Sequence, residues 1–288
     1  VQRVSLMAKL DIHHGDNLQV LSGFPDESFD LIYIDPPFNT GKRQSRTRTT
    51  MVRDTEGDRT GYLGKRYRTT KLGTSFYEDI FDDFMVFIEP RLREAHRLLK
   101  PDGSLFFHID YRESHYCKVL LDHIFGRVCF INEIIWAYDY GARTKKRWPA
   151  KHDTIFWYAK SADDFHFDLE ASDRIPYMAP GLVGPEKAAR GKTPTDTWWH
   201  TIVSPNGREK TGYPTQKPRG VIDRIVKVHS EPGDRLLDFF AGSGTFGESA
   251  IAHERDCVLV DSNPQAIEVM QRRFAGSPHT VTWRDGPR

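Results

Sequence analysis

The 288-residue chain reads as an α/β protein built on one mixed, mostly parallel sheet with helices on both faces. Three stretches predict this. From Asp82 to Ile109 a helical pattern, a Pro-Asp-Gly turn and an apolar strand follow one another in the order of half a crossover unit. From Arg235 to Asp261 a strand enters a glycine turn that opens a helix, and a second strand follows. The run Phe29-Asp30-Leu31-Ile32-Tyr33-Ile34 stops abruptly at Asp35-Pro36-Pro37-Phe38, the pattern of a buried strand whose last residue is a carboxylate at the sheet edge.

By length the chain could hold one large α/β domain or two smaller ones, and one core with an elaborated insertion is the expectation. Leu10 to Asp16 reads as a short strand closing in a Gly-Asp turn, with His13 and His14 as strand residues. The strand ending at Asp35 comes next. Residues 39–75 are rich in Gly, Thr and Arg, and that composition argues for a loop rather than a packed element. From Asp82, Phe84, Phe87, Ile88, Leu92, Ala95, Leu98 and Leu99 share one helical face, with Pro90 expected to kink or break it. Pro101-Asp102-Gly103 should end that helix before a strand over Ser104–Ile109.

Tyr116–Phe125 looks helical, and Phe130–Ala137 with Thr154–Ala159 reads as a pair of strands around a tip at 138–151. Residues 160–214 have weak periodicity and read as an irregular insertion. Order returns with a short amphipathic helix over Val221–Val228, the strand and glycine turn from Arg235 to Gly247, the strand Cys257–Val260 ending in Asp261, and a last helix capped by Ser262-Asn263-Pro264 and running through Phe274.

Net charge is only +1, yet ten Lys or Arg face three acids between Gly41 and Lys71, a local balance of +7. Arg143, Lys145, Lys146, Arg147 and Lys151 surround Trp148 in the 138–151 tip with no acid from Gly141 onward. Basic residues interleaved with an aromatic suit phosphate contact and base stacking, and solvated loops are the plainer alternative for both segments. Cys117, Cys129 and Cys257 are odd in number and lack ligand spacing, so neither a disulfide framework nor a metal centre is expected. With no signal-like segment and no apolar run of spanning length, a cytoplasmic protein without membrane contact is the expectation.

The chemistry concentrates at two places. Pro36 and Pro37 carry no amide proton and hold φ near −65°, so the corner is rigid. It offers the Asp35 carboxylate, free carbonyls and the Phe38 ring, a set suited to a planar ring bearing an NH2 group. An ordinary strand-ending turn is the competing reading. At the second place, Gly242, Gly244 and Gly247 let backbone approach a ligand, and Asp261, nineteen residues after Gly242, suits ribose hydroxyls. The glycines satisfy the dinucleotide pattern literally. Only about forty residues follow, however, too few for a second mononucleotide half. The remaining strands must come from the N-terminal part, which favours a nucleoside-type cofactor beside the Asp35 corner.

Asp35-Pro36-Pro37-Phe38, Asp238-Phe239-Phe240-Ala241-Gly242-Ser243-Gly244-Thr245 and Tyr213-Pro214-Thr215-Gln216-Lys217-Pro218 resemble the catalytic motif, the glycine motif and the remaining cofactor motif of amino-methylating DNA methyltransferases. Their order resembles the permuted β-class. The resemblance implies a circularly permuted, Rossmann-like fold with a catalytic half at 1–159, a target-recognition insertion at 160–212 and an S-adenosylmethionine-binding half at 213–288. It implies catalysis at Asp35, Pro36, Pro37 and Phe38. It implies cofactor contacts from Asp16, Asp35, Thr215, Gln216, Lys217, Asp238, Phe240, Ala241, Gly242, Ser243, Gly244, Thr245 and Asp261. Double-stranded DNA is the implied partner, with contacts expected from Lys42, Arg43, Arg46, Arg48, Arg143, Lys145, Lys146 and Arg147. A homodimer and a cognate restriction endonuclease are further partners the resemblance brings into view.

The expected reaction is methyl transfer to the exocyclic amine of a flipped base, adenine N6 ahead of cytosine N4 because Asp heads the catalytic motif. Carbon methylation of cytosine would need a cysteine nucleophile, and no cysteine lies in these motifs. A protein-glutamine methyltransferase, an NAD-dependent oxidoreductase and a non-catalytic nucleic-acid-binding protein are the alternatives weighed.

Overall fold

A computed structural model describes residues 7–39, 44–54, 56, 58–60, 66–77, 83–139, 143–204 and 206–285. The parallel part of the main sheet uses β1 (Lys9–His14), β2 (Phe29–Ile34), β6 (Leu99–Ile109), β10 (Arg235–Asp238), β11 (Asp256–Asp261) and β12 (Thr280–Asp285). With β7 (Phe130–Ala137), β8 (His152–Ala159) and β9 (Thr197–Trp199), they line up as β12-β1-β11-β10-β2-β6-β8-β7-β9. All neighbours are parallel except at β8, which runs antiparallel to both β6 and β7. Strands β10 and β11, from the end of the chain, lie between β1 and β2 from its start.

The apolar residues of the central strands are buried on both faces, as helices on both sides require. Leu31, Tyr33, Leu236 and Leu259 pack into a core with α5 (Arg219–Val228), α6 (Thr245–Ala252) and α7 (Pro264–Phe274). Their alternates Ile32, Ile34, Leu237 and Val260 pack with α1 (Asn17–Leu21), α2 (Phe84–Leu98) and α3 (Ser114–Phe125). Helix α1 is capped by Asp16, whose carboxylate accepts from Gln19 N. Neither α1 nor β12 stands out in the sequence: α1 has five residues, and β12 ends in Trp-Arg-Asp on an exposed edge.

Four expectations change. Helix α2 runs unbroken through Pro90. The loss from an internal proline, about 3 kcal/mol, is outweighed by burial of Phe84, Ile88, Leu92 and Leu98, each adding roughly 1.5–3 kcal/mol. Pro101-Asp102-Gly103 lies inside β6 rather than between helix and strand, and the pairing with β2 shifts register there. The described residues within 39–75 are mostly strand rather than loop: β3 (Gln44–Arg53) and β5 (Arg66–Tyr77) pair antiparallel, with β4 (Arg59–Thr60) on the far side of β5, in a separate three-stranded sheet. Thr recurs through both long strands, and β-branched residues favour extended backbone even where no apolar face marks a core. The 160–212 segment is irregular, with a short α4 (Pro185–Arg190), yet through β9 it hydrogen-bonds to β7 and extends the main sheet.

His229, just after α5, sits in this core with its ring centroid 4.4 Å from Trp157 and 4.6 Å from Phe106. Its Nδ1 has no partner among the described residues. Burial depresses it from the ordinary 6.5 to about 3. Between these values the unfolded chain takes a proton that the folded one refuses, so stability is intact above pH 6.5 and falls as the pH drops. Urea denaturation should show unfolding free energy falling by up to about 1.4 kcal/mol per pH unit in that window, and His229→Leu should flatten the fall.

Candidate active site

Four adjacent parallel strands end on one edge of the sheet, and each delivers an aspartate there. Asp16 follows β1, Asp261 closes β11, Asp238 closes β10 and Asp35 follows β2. Strand spacing of about 4.8 Å sets their separation. They border a cavity of about 570 Å³, which the Pro36-Pro37-Phe38 corner, the 240–245 turn and the 213–217 segment also line.

The glycine turn is held by its own carboxylates. Gly242 N donates to Asp261 Oδ2 at 2.7 Å, Asn263 N to Asp261 Oδ1 at 2.8 Å, and Phe240 N to Asp238 Oδ1 at 2.9 Å. Gly242 adopts φ 51° with the Tyr213 ring 3.1 Å from where a Cβ would stand. Burial raises Asp261, and the two backbone donors oppose that rise. Burial also lifts Asp238 well above the carboxylate range, with the charges of Asp35 and Asp261 adding to it and Phe240 N and Lys217 opposing. The edge therefore gathers acceptors whose negative charge is offset by backbone N–H groups and, at the Asp35 end, by a cation.

That cation is Lys217. Its ammonium pairs with Asp35 Oδ2 and lies 4.7 Å over the Phe38 ring. Asp35 Oδ1 is buried and has no partner among the described residues. Beneath the corner, Tyr33 stacks on Phe246 at 5.4 Å and donates to His108 Nδ1 at 2.8 Å. His108 Nε2 in turn meets Asp153 Oδ2 at 3.2 Å, and Tyr138 donates to Asp153 Oδ1 at 3.0 Å. Burial alone would raise Asp153, but the His108 bond, helped by Lys217 and Tyr138, holds it below the ordinary carboxylate value. This chain fixes Tyr33 and, through the Phe38–His108 ring contact at 5.9 Å, braces the corner from below.

Of the residues expected from sequence, Asp16, Asp35, Pro36, Pro37, Phe38, Thr215, Lys217, Asp238, Phe240, Ala241, Gly242, Ser243, Thr245 and Asp261 all border the one cavity. Gln216 and Gly244 do not. Gln216 points away from its neighbours and closes its own turn: Oε1 accepts from Thr211 N and Oγ1, and Nε2 donates to Glu209 O at 2.6 Å. Gly244 caps α6 at φ 74°, where an added Cβ would meet Met270 and Phe274.

Sequence reasoning passes over Asn17, Arg91 and Phe87, which also line the cavity. Asn17 Nδ2 donates to Phe239 O, its Oδ1 accepts from Arg91 Nε, and Arg91 reaches Asp16 at 3.5 Å while lying 3.9 Å over Phe87. The available signal was an arginine on the otherwise apolar face of α2.

Arg143, Lys145, Lys146 and Arg147 are exposed beside Trp148, which is 94% exposed. Arg46 and Arg48 lie two apart on β3, and Lys42 and Arg43 fall outside the described residues. Among the described residues no cluster of His, Cys, Asp or Glu is arranged to hold a metal, and no helix is long and apolar enough to cross a membrane.

A family model described as DNA methylase matches residues 29–272. The chain is 28% identical over 281 residues to the DNA adenine methyltransferase YhdJ of Escherichia coli K12, covering 93% of this chain and 83% of that protein. The PvuII DNA methyltransferase, described as cytosine-N4-specific, superposes with a TM-score of 0.62 at 16% identity, over 96% of this chain and 92% of that one. M1.HpyAVI in complex with SAM superposes with a TM-score of 0.58 at 18% identity, over 92% and 98%. At these identities the two solved structures establish a shared fold.

A Cβ at Gly244 would stand 2.8 Å from Met270 Cγ, on a backbone already at positive φ. Gly244→Ala should lower unfolding free energy by about 1–3 kcal/mol, read as a lower denaturation midpoint at unchanged slope.

Proposed function

We propose, from the premise that this chain belongs to the DNA methylase family, that the Asp35 corner grips the exocyclic amine of a flipped base and that adenine N6 is its target. The family carries S-adenosylmethionine-dependent methyl transfer to an amino group of DNA, adenine N6 or cytosine N4. The observation that most supports a role for the corner is the unpartnered, buried Asp35 Oδ1 beside the Phe38 ring. A buried carboxylate oxygen lacking a donor is costly unless a ligand supplies one.

The residues present fit the cofactor. In this reading Asp261 takes the ribose hydroxyls and Asp16, steadied by Arg91, takes the adenine amine. The turn from Phe240 to Thr245, with Thr215, takes the amino-acid end. When bound, S-adenosylmethionine supplies a methyl group on a sulfonium sulfur, a strong electrophile.

The rest of the chemistry belongs to the chain. An aromatic amine is a poor nucleophile because its lone pair is delocalised into the base. Asp35 Oδ1 and the Pro36 carbonyl accept its two hydrogens, which localises the lone pair and favours the positive charge growing on nitrogen. After transfer the surplus proton rests on Asp35 Oδ1. Phe38 stacks on the base and offsets part of the few kcal/mol spent on flipping it. Holding the reacting atoms in line supplies much of the remaining rate. Cysteine chemistry has no place here: Cys117, Cys129 and Cys257 are buried away from the cavity, and burial pushes the Cys117 and Cys257 thiols up.

Adenine is favoured by Asp at the head of the motif and by the likeness to a DNA adenine methyltransferase. Arg143, Lys145, Lys146, Arg147 and Trp148 are proposed to meet the phosphate backbone and an unstacked base, with Arg46 and Arg48 on the β3 arm.

Incubation with S-adenosylmethionine and mixed-sequence DNA, followed by nucleoside mass spectrometry, should yield N6-methyladenine. N4-methylcytosine as the sole product would overturn the adenine assignment. Asp35→Ala should cut turnover by about 10²–10⁴, and wild-type turnover in that variant would overturn the role given to Asp35.

A further inference from the structure

The motif's resemblance implies a cofactor contact for Lys217, and its contacts in the structure are with the Asp35 corner. The ammonium pairs with Asp35 Oδ2 and sits over the Phe38 ring, 4.7 Å from its centroid. One N–H donor on Asp35 and one group on the face of Phe38 are the two contacts that a flipped base bearing an NH2 group would make at this corner. We infer that Lys217 is a placeholder in the target-base subsite: in the base-free enzyme its ammonium neutralises Asp35 from Oδ2 and covers the Phe38 face, and the incoming base, whose amine takes Oδ1 and whose ring takes Phe38, displaces it.

Three considerations carry this. First, the empty subsite needs a cation. Asp35 neighbours Asp238 on the next strand, with Asp261 one strand further, and a buried carboxylate with no partner on either oxygen would be strongly unfavourable. Lys217, whose side chain is 10% exposed, meets that need.

Second, the lysine cannot stay during the reaction. The methylated nitrogen gains positive charge against the same carboxylate, and a second cation there would oppose it. Retention would suit ground-state anchoring of Asp35, but it would work against the transition state. The face of Phe38 would also remain covered.

Third, the displaced ammonium has somewhere to go. Its charge already acts on Asp153, which is held below the ordinary carboxylate value, so leaving Asp35 does not strand it without a counter-charge. Thr215 and Lys217 both face the cavity while Gln216 ties the turn to Glu209 and Thr211, so the side chain can swing on a held backbone. The exchange trades one charge-assisted hydrogen bond and one cation–π contact for the amine's hydrogen bond and ring stacking. Insertion of a base thereby becomes a substitution rather than the filling of an empty site, and a base lacking an amine gains nothing at Asp35 when it evicts the lysine.

The inference rests on the amino-methylation reading. Failure of that reading appears separately, as no methylated nucleoside from the wild-type protein. The test compares binding of two duplexes, identical except that one carries the target base and the other an abasic site at the methylated position, for wild type, Lys217→Met and Lys217→Arg. A placeholder competes only with the base. Lys217→Met should therefore raise the affinity ratio, target over abasic, by about tenfold. Lys217→Arg should keep it near wild type. In an Asp35→Asn background, where the competed carboxylate is gone, removing Lys217 should leave the ratio unchanged. S-adenosylmethionine binding by each variant reports that it is folded. A ratio that stays the same or falls in Lys217→Met would overturn the inference, whether or not cofactor affinity drops, and would return Lys217 to the cofactor or to simple anchoring of Asp35.

Discussion

The structure depends on how four carboxylates are accommodated along one sheet edge. Asp16, Asp261, Asp238 and Asp35 end neighbouring strands about 4.8 Å apart, close enough that their charges cannot be left uncompensated in a half-buried cleft. Each is offset differently. Asp261 takes two backbone N–H donors, Asp238 takes one and is pushed up by burial, Asp16 caps α1 and faces Arg91, and Asp35 pairs with Lys217. The backbone donors and the helix cap are built into the fold. The lysine is a side chain, and on the inference drawn above it is the counter-charge that the substrate base replaces.

Topology produces this row. Strands β10 and β11 from the end of the chain insert between β1 and β2 from its start, so Asp35 and Asp238, two hundred residues apart in sequence, become neighbours. Both crossover units leave their loops at the carboxyl ends of the strands, where open α/β sheets bind ligands. The same arrangement divides the cleft. The Asp16 and Asp261 side carries the glycine turn, and the Asp35 side carries the proline corner, the Phe38 ring and the buried Tyr33-His108-Asp153-Tyr138 chain that braces it.

Much of this was legible in the sequence wherever a residue is confined by backbone geometry. Pro36 and Pro37 announce the corner, the glycines announce the turn, and the apolar runs ending in Asp announce the strand ends. What stayed hidden depends on partners distant in sequence. Nothing local marks His108 or Asp153 as members of a buried chain, because each looks like an ordinary residue of its strand. The 39–75 segment misled for the opposite reason. Its polar composition reads as loop, while strands rich in β-branched threonine pair there into a sheet of their own. Pro90 misled because burial of one helical face outweighs a single lost hydrogen bond. Gln216 sits inside a recognisable motif, yet its amide is bonded to Thr211 and Glu209 and it does not line the cavity.

In the proposed function the carboxylate row serves two ligands, with Asp261 on the cofactor side and Asp35 on the amine side. Calorimetric titration of S-adenosylmethionine into Asp261→Asn and Asp35→Asn measures this directly. This division of roles predicts a loss of about tenfold or more in affinity for Asp261→Asn, the scale of a charge-assisted hydrogen bond, and a change of less than about threefold for Asp35→Asn, below 1 kcal/mol. Equal losses in the two variants would contradict it.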